Sequence, residues 1–134
     1  MRFNKLLLLI IIWFSLLISC HSFNHEQHIT GDYYLIATDN EDHSEISLRL
    51  PQYSSYIGRI APKVKHVFFS ETYILAEQQD IKTSNLNYYI IDIEKDGIYQ
   101  EVEDCVIGPL TKSECKSLTD SLNLSEKLKM LKIE

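Results

Sequence analysis

The sequence predicts a mainly β or α+β domain, a small antiparallel sheet of hairpins packed by one C-terminal helix. Three stretches carry that prediction. Residues 45–50 alternate, with Ile46, Leu48 and Leu50 on one face and Ser47 and Arg49 on the other, the period of a half-buried strand. Residues 87–93 read Asn-Tyr-Tyr-Ile-Ile-Asp-Ile and precede Asp96-Gly97, a dipeptide that favours a tight hairpin. Thr111 and Glu114 stand at capping-box spacing ahead of an apolar stripe of Cys115, Leu118 and Leu122, which marks a helix start.

The elements follow in order. Residues 31–38 are aromatic and β-branched and, with 45–50, form a first hairpin around a polar turn. A short strand at 56–60 is stopped by Pro62. Residues 64–69 and 73–77 make a second hairpin around Ser70-Glu71-Thr72, and 78–87 are a polar loop. Residues 87–93 are apolar on both faces, as a strand covered on both sides requires. A more polar strand returns over 98–107 and ends at Gly108-Pro109. Leu110 and Cys115 sit at hydrophobic-staple positions around the Thr111 cap. Ser125 is expected to cap a last short helix with Leu128 and Leu131 as its stripe.

The N-terminal part predicts an address. Arg2 and Lys5 precede an apolar run broken only by Ser15, and Leu17-Ile18-Ser19-Cys20 closes it. A cationic start, an apolar run and a small-residue cleavage site describe a secretory signal. The uncharged run of about 15 residues is shorter than the ~20 that span a bilayer. Leu17-Ile18-Ser19-Cys20 resembles the lipobox of bacterial lipoproteins at all four positions. The resemblance implies cleavage before Cys20 and attachment of lipid, palmitate included, to the Cys20 thiolate. A protein anchored this way sits in the cell envelope, held to a membrane without spanning it, and faces the periplasm. His21, rather than Asp, after the cysteine favours an outer-membrane address where the cell has one.

Three segments follow: a leader, 1–19; a polar tether, 20–30; and a single domain, 31–134. Losing Arg2 and Lys5 with the leader takes the formal charge from −6 to −8 over the 115 residues that remain. An acidic chain of this kind argues against nucleic acid as a partner and against a basic patch held to anionic lipid.

Cys105 and Cys115 remain after processing and are candidates for a disulfide closing a short loop, worth about 2–3 kcal/mol in the chain-entropy account; both also read as buried apolar residues. Asp92, Glu94, Asp96, Gly97 and Glu103 follow the spacing of a calcium-binding EF-hand loop. The flanking strand pattern reads the same stretch as a hairpin. Asp39, Glu41, Asp42 and Glu45, and separately His21, His25 and His28, are further metal candidates that read more simply as turn and tether. No catalytic residue, nucleophile elbow, phosphate loop or cofactor motif stands out, and no cofactor is expected. His66 with Cys105 or Cys115 is the remaining nucleophilic pairing the composition allows. Tyr33/Tyr34 and Tyr88/Tyr89 must each place one ring on each face of a strand, and an exposed ring marks a contact surface.

Through Tyr73-Ile74-Leu75-Ala76, Tyr88-Tyr89-Ile90-Ile91-Asp92 and Gly108-Pro109-Leu110-Thr111, residues 57–123 resemble small bacterial lipoproteins carrying an uncharacterised domain. Those motifs are structural, and the resemblance implies no catalytic residue. The function expected first is a non-enzymatic binding or interaction module in the envelope, with an exposed aromatic or acidic patch, no buried ionisable cluster and an envelope protein as partner. An envelope enzyme or metal-binding protein would instead gather carboxylates or histidines with shifted pKa values in a pocket. A purely structural envelope component is the third reading.

Overall fold

The structure, a computed structural model, describes residues 25–133. Cys20 and His21, the leader and the first half of the expected tether lie outside the described residues. The second half of that stretch is a strand. β1 (His25–Thr30) pairs antiparallel with β2 (Tyr33–Ala37), and Ile29 enters the core. Its alternation is concealed in the sequence because polar residues occupy its other positions.

Two antiparallel sheets form. Sheet A is β1-β2-β3-β4, with β3 at Glu45–Leu50 and β4 at Ser55–Ile60. Sheet B is β8-β7-β6-β5-β9, with β5 at Val64–Phe69, β6 at Tyr73–Gln79, β7 at Leu86–Asp92, β8 at Val106–Leu110 and β9 at Lys129–Met130. The expected single sheet is therefore split, and the split falls at Pro62. Proline donates no ladder hydrogen bond, and Lys63 follows with φ 71°, so the chain leaves sheet A there and begins sheet B.

The two sheets pack face to face. Ile29, Tyr33, Leu35, Ile46, Leu48 and Ile60 of sheet A meet Val64, Val67, Ile74, Ala76 and Ile91 of sheet B. The other face of sheet B carries the long helix. Leu75 and Ile90 pack with Cys115 there, joined by Phe68, Tyr88, Leu110 and Leu118. Ile90 and Ile91 are both fully buried, on opposite faces of β7, as the doubly apolar pattern predicts.

After β7 the outcome departs from the sequence reading. Asp96-Gly97 is not the tip of a two-residue hairpin. The chain turns at 93–95, wanders to a one-turn helix, α1 (Val102–Cys105), and only then enters β8 (Val106–Leu110). β8 still returns beside β7, pairing Ile91 with Val106 and Tyr88 with Leu110. Gly108 lies inside β8 with φ 147°, and a Cβ there would stand 2.4 Å from the Tyr89 ring, so glycine lets the strand pass beneath that ring.

The helix α2 (Lys112–Ser121) begins with the expected capping box: Thr111 Oγ1 accepts from Glu114 N at 3.3 Å and Glu114 Oε2 accepts from Thr111 N at 2.8 Å. The last expected helix is instead a turn followed by β9 (Lys129–Met130), which pairs with Phe68 and Phe69 of β5. Leu128 packs under α2 while Leu131 joins the inter-sheet core, a division of neighbours no single helical stripe could make. No helix among the described residues is long and apolar enough to cross a membrane.

Candidate functional site

Two polar constellations stand out, one buried between the sheets and one exposed on sheet A.

The buried one centres on Arg59 and Asp96, whose side chains are each 1% exposed. Arg59 Nε donates to Asp96 Oδ2 at 2.8 Å and Nη2 to Oδ1 at 2.7 Å, a two-pronged pair; Nη2 also reaches the Gly97 carbonyl at 3.0 Å. Tyr33 donates its hydroxyl proton to Asp96 Oδ2 at 2.6 Å, and Gly97 N donates to Oδ1 at 2.7 Å. Burial alone would raise the Asp96 carboxyl, but hydrogen bonds from Arg59 and Tyr33 outweigh it and hold the group below the usual carboxylate range. Burial, then Asp96, drives the Tyr33 hydroxyl far up. Cys105 lies beside Asp96, donates toward the Glu101 and Val102 carbonyls, and is pushed up to about 11 by burial first and Asp96 second. A buried ionisable cluster is therefore present, contrary to the expectation attached to a binding module. It is satisfied from within.

Beside this pair opens a cleft of about 290 Å³, lined by Tyr33, Leu48, Leu50, Pro51, Ile93 and Ile98 among others.

The exposed constellation comes from the alternation of sheet A. Tyr33 points inward and Tyr34 outward, as consecutive strand residues must. On the outward face Tyr34 lies edge-on to His28, with centroids 5.1 Å apart, and to Tyr56 at 5.9 Å. The Arg49 guanidinium lies 5.8 Å from the Tyr34 ring centre. Tyr56 donates to Glu26 Oε2 at 2.6 Å, and that bond raises the Tyr56 hydroxyl above its ordinary value. Four strands thus supply one mixed aromatic and charged face. A third, smaller line crosses sheet B: His66 Nδ1 to Glu77 at 2.9 Å and Tyr88 Oη to Glu77 at 2.9 Å.

The metal candidates do not converge. Asp92 pairs with Lys95 at 3.1 Å, Asp96 is committed to Arg59, and Glu94 and Glu103 are exposed. Asp42 lies 3.8 Å from Lys65, and Glu45 accepts from Ser47. His25 and His28 sit three apart on a strand, hence on opposite faces. No group of three or more metal-ligating side chains gathers among the described residues. Cys105 and Cys115 are free, buried thiols; Cys115, on α2, packs against the far face of sheet B, while Cys105 lies with Asp96. His66 is engaged with Glu77 rather than with either thiol.

Sequence reasoning names Asp96 only as a metal or turn residue and misses Arg59, although an arginine between Gly58 and Ile60 in an apolar strand is a signal that something must neutralise it. Nothing local pairs it with Asp96, 37 residues on.

A family profile described as "Protein of unknown function (DUF3997)" matches residues 30–134. The chain belongs to this family. The match covers both sheets of the DUF3997 domain apart from most of β1, and it contains the motifs of β6, β7 and β8. No curated protein and no solved structure matches the chain.

Proposed function

We propose that this DUF3997 protein is a lipid-anchored component of the cell envelope that works by binding, with the outward face of sheet A as its contact surface. The observation that carries the reading is the Tyr34–Tyr56 pair with His28, Arg49 and Glu26 around it. Tyrosine and arginine are the residues that contribute most at protein interfaces, because they bring large apolar area and directional polar groups together. The Leu17-Ile18-Ser19-Cys20 pattern supports the anchor, and the partner is another envelope protein rather than nucleic acid.

The buried cluster supplies no activated nucleophile. A nucleophilic cysteine needs a depressed pKa and access, whereas the Cys105 thiol is buried and raised to about 11. Asp96 and Arg59 neutralise each other.

Two measurements test this. Cys20→Ala leaves the precursor unprocessed and unlabelled by radioactive palmitate; labelling that persists removes the anchor. Crosslinking in native membranes captures a defined partner with the wild type and loses it with Tyr34→Ser/Arg49→Ser; an unchanged product moves the contact surface elsewhere.

A further inference from the structure

The strand register places the start of the folded chain at one pole of the sandwich. His25 pairs with Ala37, and β2 meets β3 through Ile36 and Glu45, so Ser44 lies at the same level. Val64 N donates to the Ser44 carbonyl at 3.0 Å. Val64 pairs with Gln78, and Gln78 with Asn87. One row of residues therefore runs from His25 across both sheets to the turn that joins β6 and β7. The turns at 51–54, 70–72 and 93–101 lie at the other pole.

That β6–β7 turn is an ordered protrusion. Asp80 Oδ1 accepts from Lys82 N at 2.8 Å, Thr83 N at 2.7 Å and Thr83 Oγ1 at 3.1 Å, while Asp80 N donates to the Asn85 carbonyl at 2.8 Å. These bonds order the turn and hold the Asp80 carboxylate ionised. At its shoulders stand two large apolar side chains, Ile81, 58% exposed, and Leu86, 50% exposed. Lys82 is exposed between them, and the Lys63 backbone is bonded to Gln79 N at 2.9 Å. Of the acids at this pole, Asp42 lies 3.8 Å from Lys65, and Glu77 is bonded to His66 and Tyr88.

Four residues, 21–24, separate Cys20 from His25 of β1, five steps along the chain. Fully extended they reach about 17 Å, less than the ~20 Å length of a six-residue strand. We propose that the pole bearing His25 and the 80–85 turn rests on the bilayer, with Ile81 and Leu86 seated at the boundary between headgroups and acyl chains. Lys82 and Lys63 then reach lipid phosphates while their stems cover apolar surface. The proposal rests on the reading of Cys20 as the lipid anchor. It turns the opposite pole, with its cleft and the exposed Tyr53 and Tyr99, away from the membrane.

Trp13 is the chain's single tryptophan and leaves with the leader, so an added tryptophan is the sole reporter in the processed protein. The lipidated protein carrying Leu86→Trp is placed in vesicles of phosphatidylethanolamine and phosphatidylglycerol, with and without brominated acyl chains. Tyr99→Trp serves as the distal counterpart, and Ile81→Trp replaces Leu86→Trp should that variant not fold. The expected result is a blue-shifted emission, lost with brominated lipid, for Leu86→Trp and neither change for Tyr99→Trp. Mass measurement of the same samples reports the lipid on Cys20. Lipid present with Leu86→Trp unquenched, or with both positions quenched, overturns the orientation alone. Lipid absent overturns the anchor and the orientation together.

Discussion

Tyr33 and Tyr56 each donate to a carboxylate at 2.6 Å, Tyr33 to Asp96 and Tyr56 to Glu26. The bonds match in chemistry and length and differ in surroundings. The first lies between two sheets, where Arg59 completes it and water is excluded; the second lies on the open face of one sheet. Inside, removing any member strands a charge or a donor in a medium that cannot solvate it. Outside, water replaces whatever is lost, so the same residues remain available to a partner. Burial, not geometry, separates a fastening from a contact surface.

The sharpest way to break that comparison is to strand a charge. Arg59→Met alone, or Asp96→Leu alone, is expected to destabilise the domain by about 3–5 kcal/mol, because each leaves an uncompensated buried ion. The double variant is expected to recover most of that loss, since two apolar side chains replace both ions. Urea unfolding of the three variants measures it. A double variant no better than the worse single one would mean that the pair is needed for more than mutual neutralisation.

The second test uses pH. The Asp96 carboxyl is lower in the folded protein than its unfolded value of about 3.9. Its contribution is therefore complete above that value and is lost as pH falls through the lower folded value. The Tyr33 hydroxyl is higher when folded than its unfolded value of about 10. Its contribution is complete below pH about 10 and is lost as pH rises further. Unfolding midpoints across the range are expected to show a flattened acid limb in Arg59→Met/Asp96→Leu and a shallower alkaline limb in Tyr33→Phe. Unchanged limbs would assign the titration to other carboxyls and tyrosines.

The smallest effect is the most direct comparison of the two bonds. Tyr33→Phe is expected to cost about 1–3 kcal/mol, the range for leaving a buried group unsatisfied. Tyr56→Phe is expected to fall within about 0.5 kcal/mol of the wild type, as surface changes do. Equal losses would show that the Tyr56–Glu26 bond is structural and weaken its place in a binding face.

Much of the fold is legible in the amino-acid sequence. The alternation at Glu45–Leu50, the doubly apolar centre of β7 and the Thr111–Glu114 box each report a local requirement, a period or a cap, that residues close in sequence satisfy. Three features mislead. β1 looks like tether because His25, Glu26, Gln27 and His28 are polar, and only Ile29 reaches the core. Asp96-Gly97 looks like a turn because its local chemistry suits one, while Asp96 in fact turns inward to Arg59. Ser125 looks like a cap, but Leu128 and Leu131 are drawn to different cores. In each case the deciding partner is distant in the chain.

The candidate site divides along the same line. That Tyr34 must face away from Tyr33 follows from strand geometry alone. That His28, Arg49 and Tyr56 converge on Tyr34 depends on the register of four strands, which no single stretch encodes. The sequence by itself determines the central strands, the helix cap and the expected lipid-anchor signature, because each is a property of neighbouring residues. Tertiary structure decides the split at Pro62, the fate of Asp96 and the membership of the exposed face. Those outcomes depend on which charges lose their water when two sheets close over them, and that is settled only when the sheets meet.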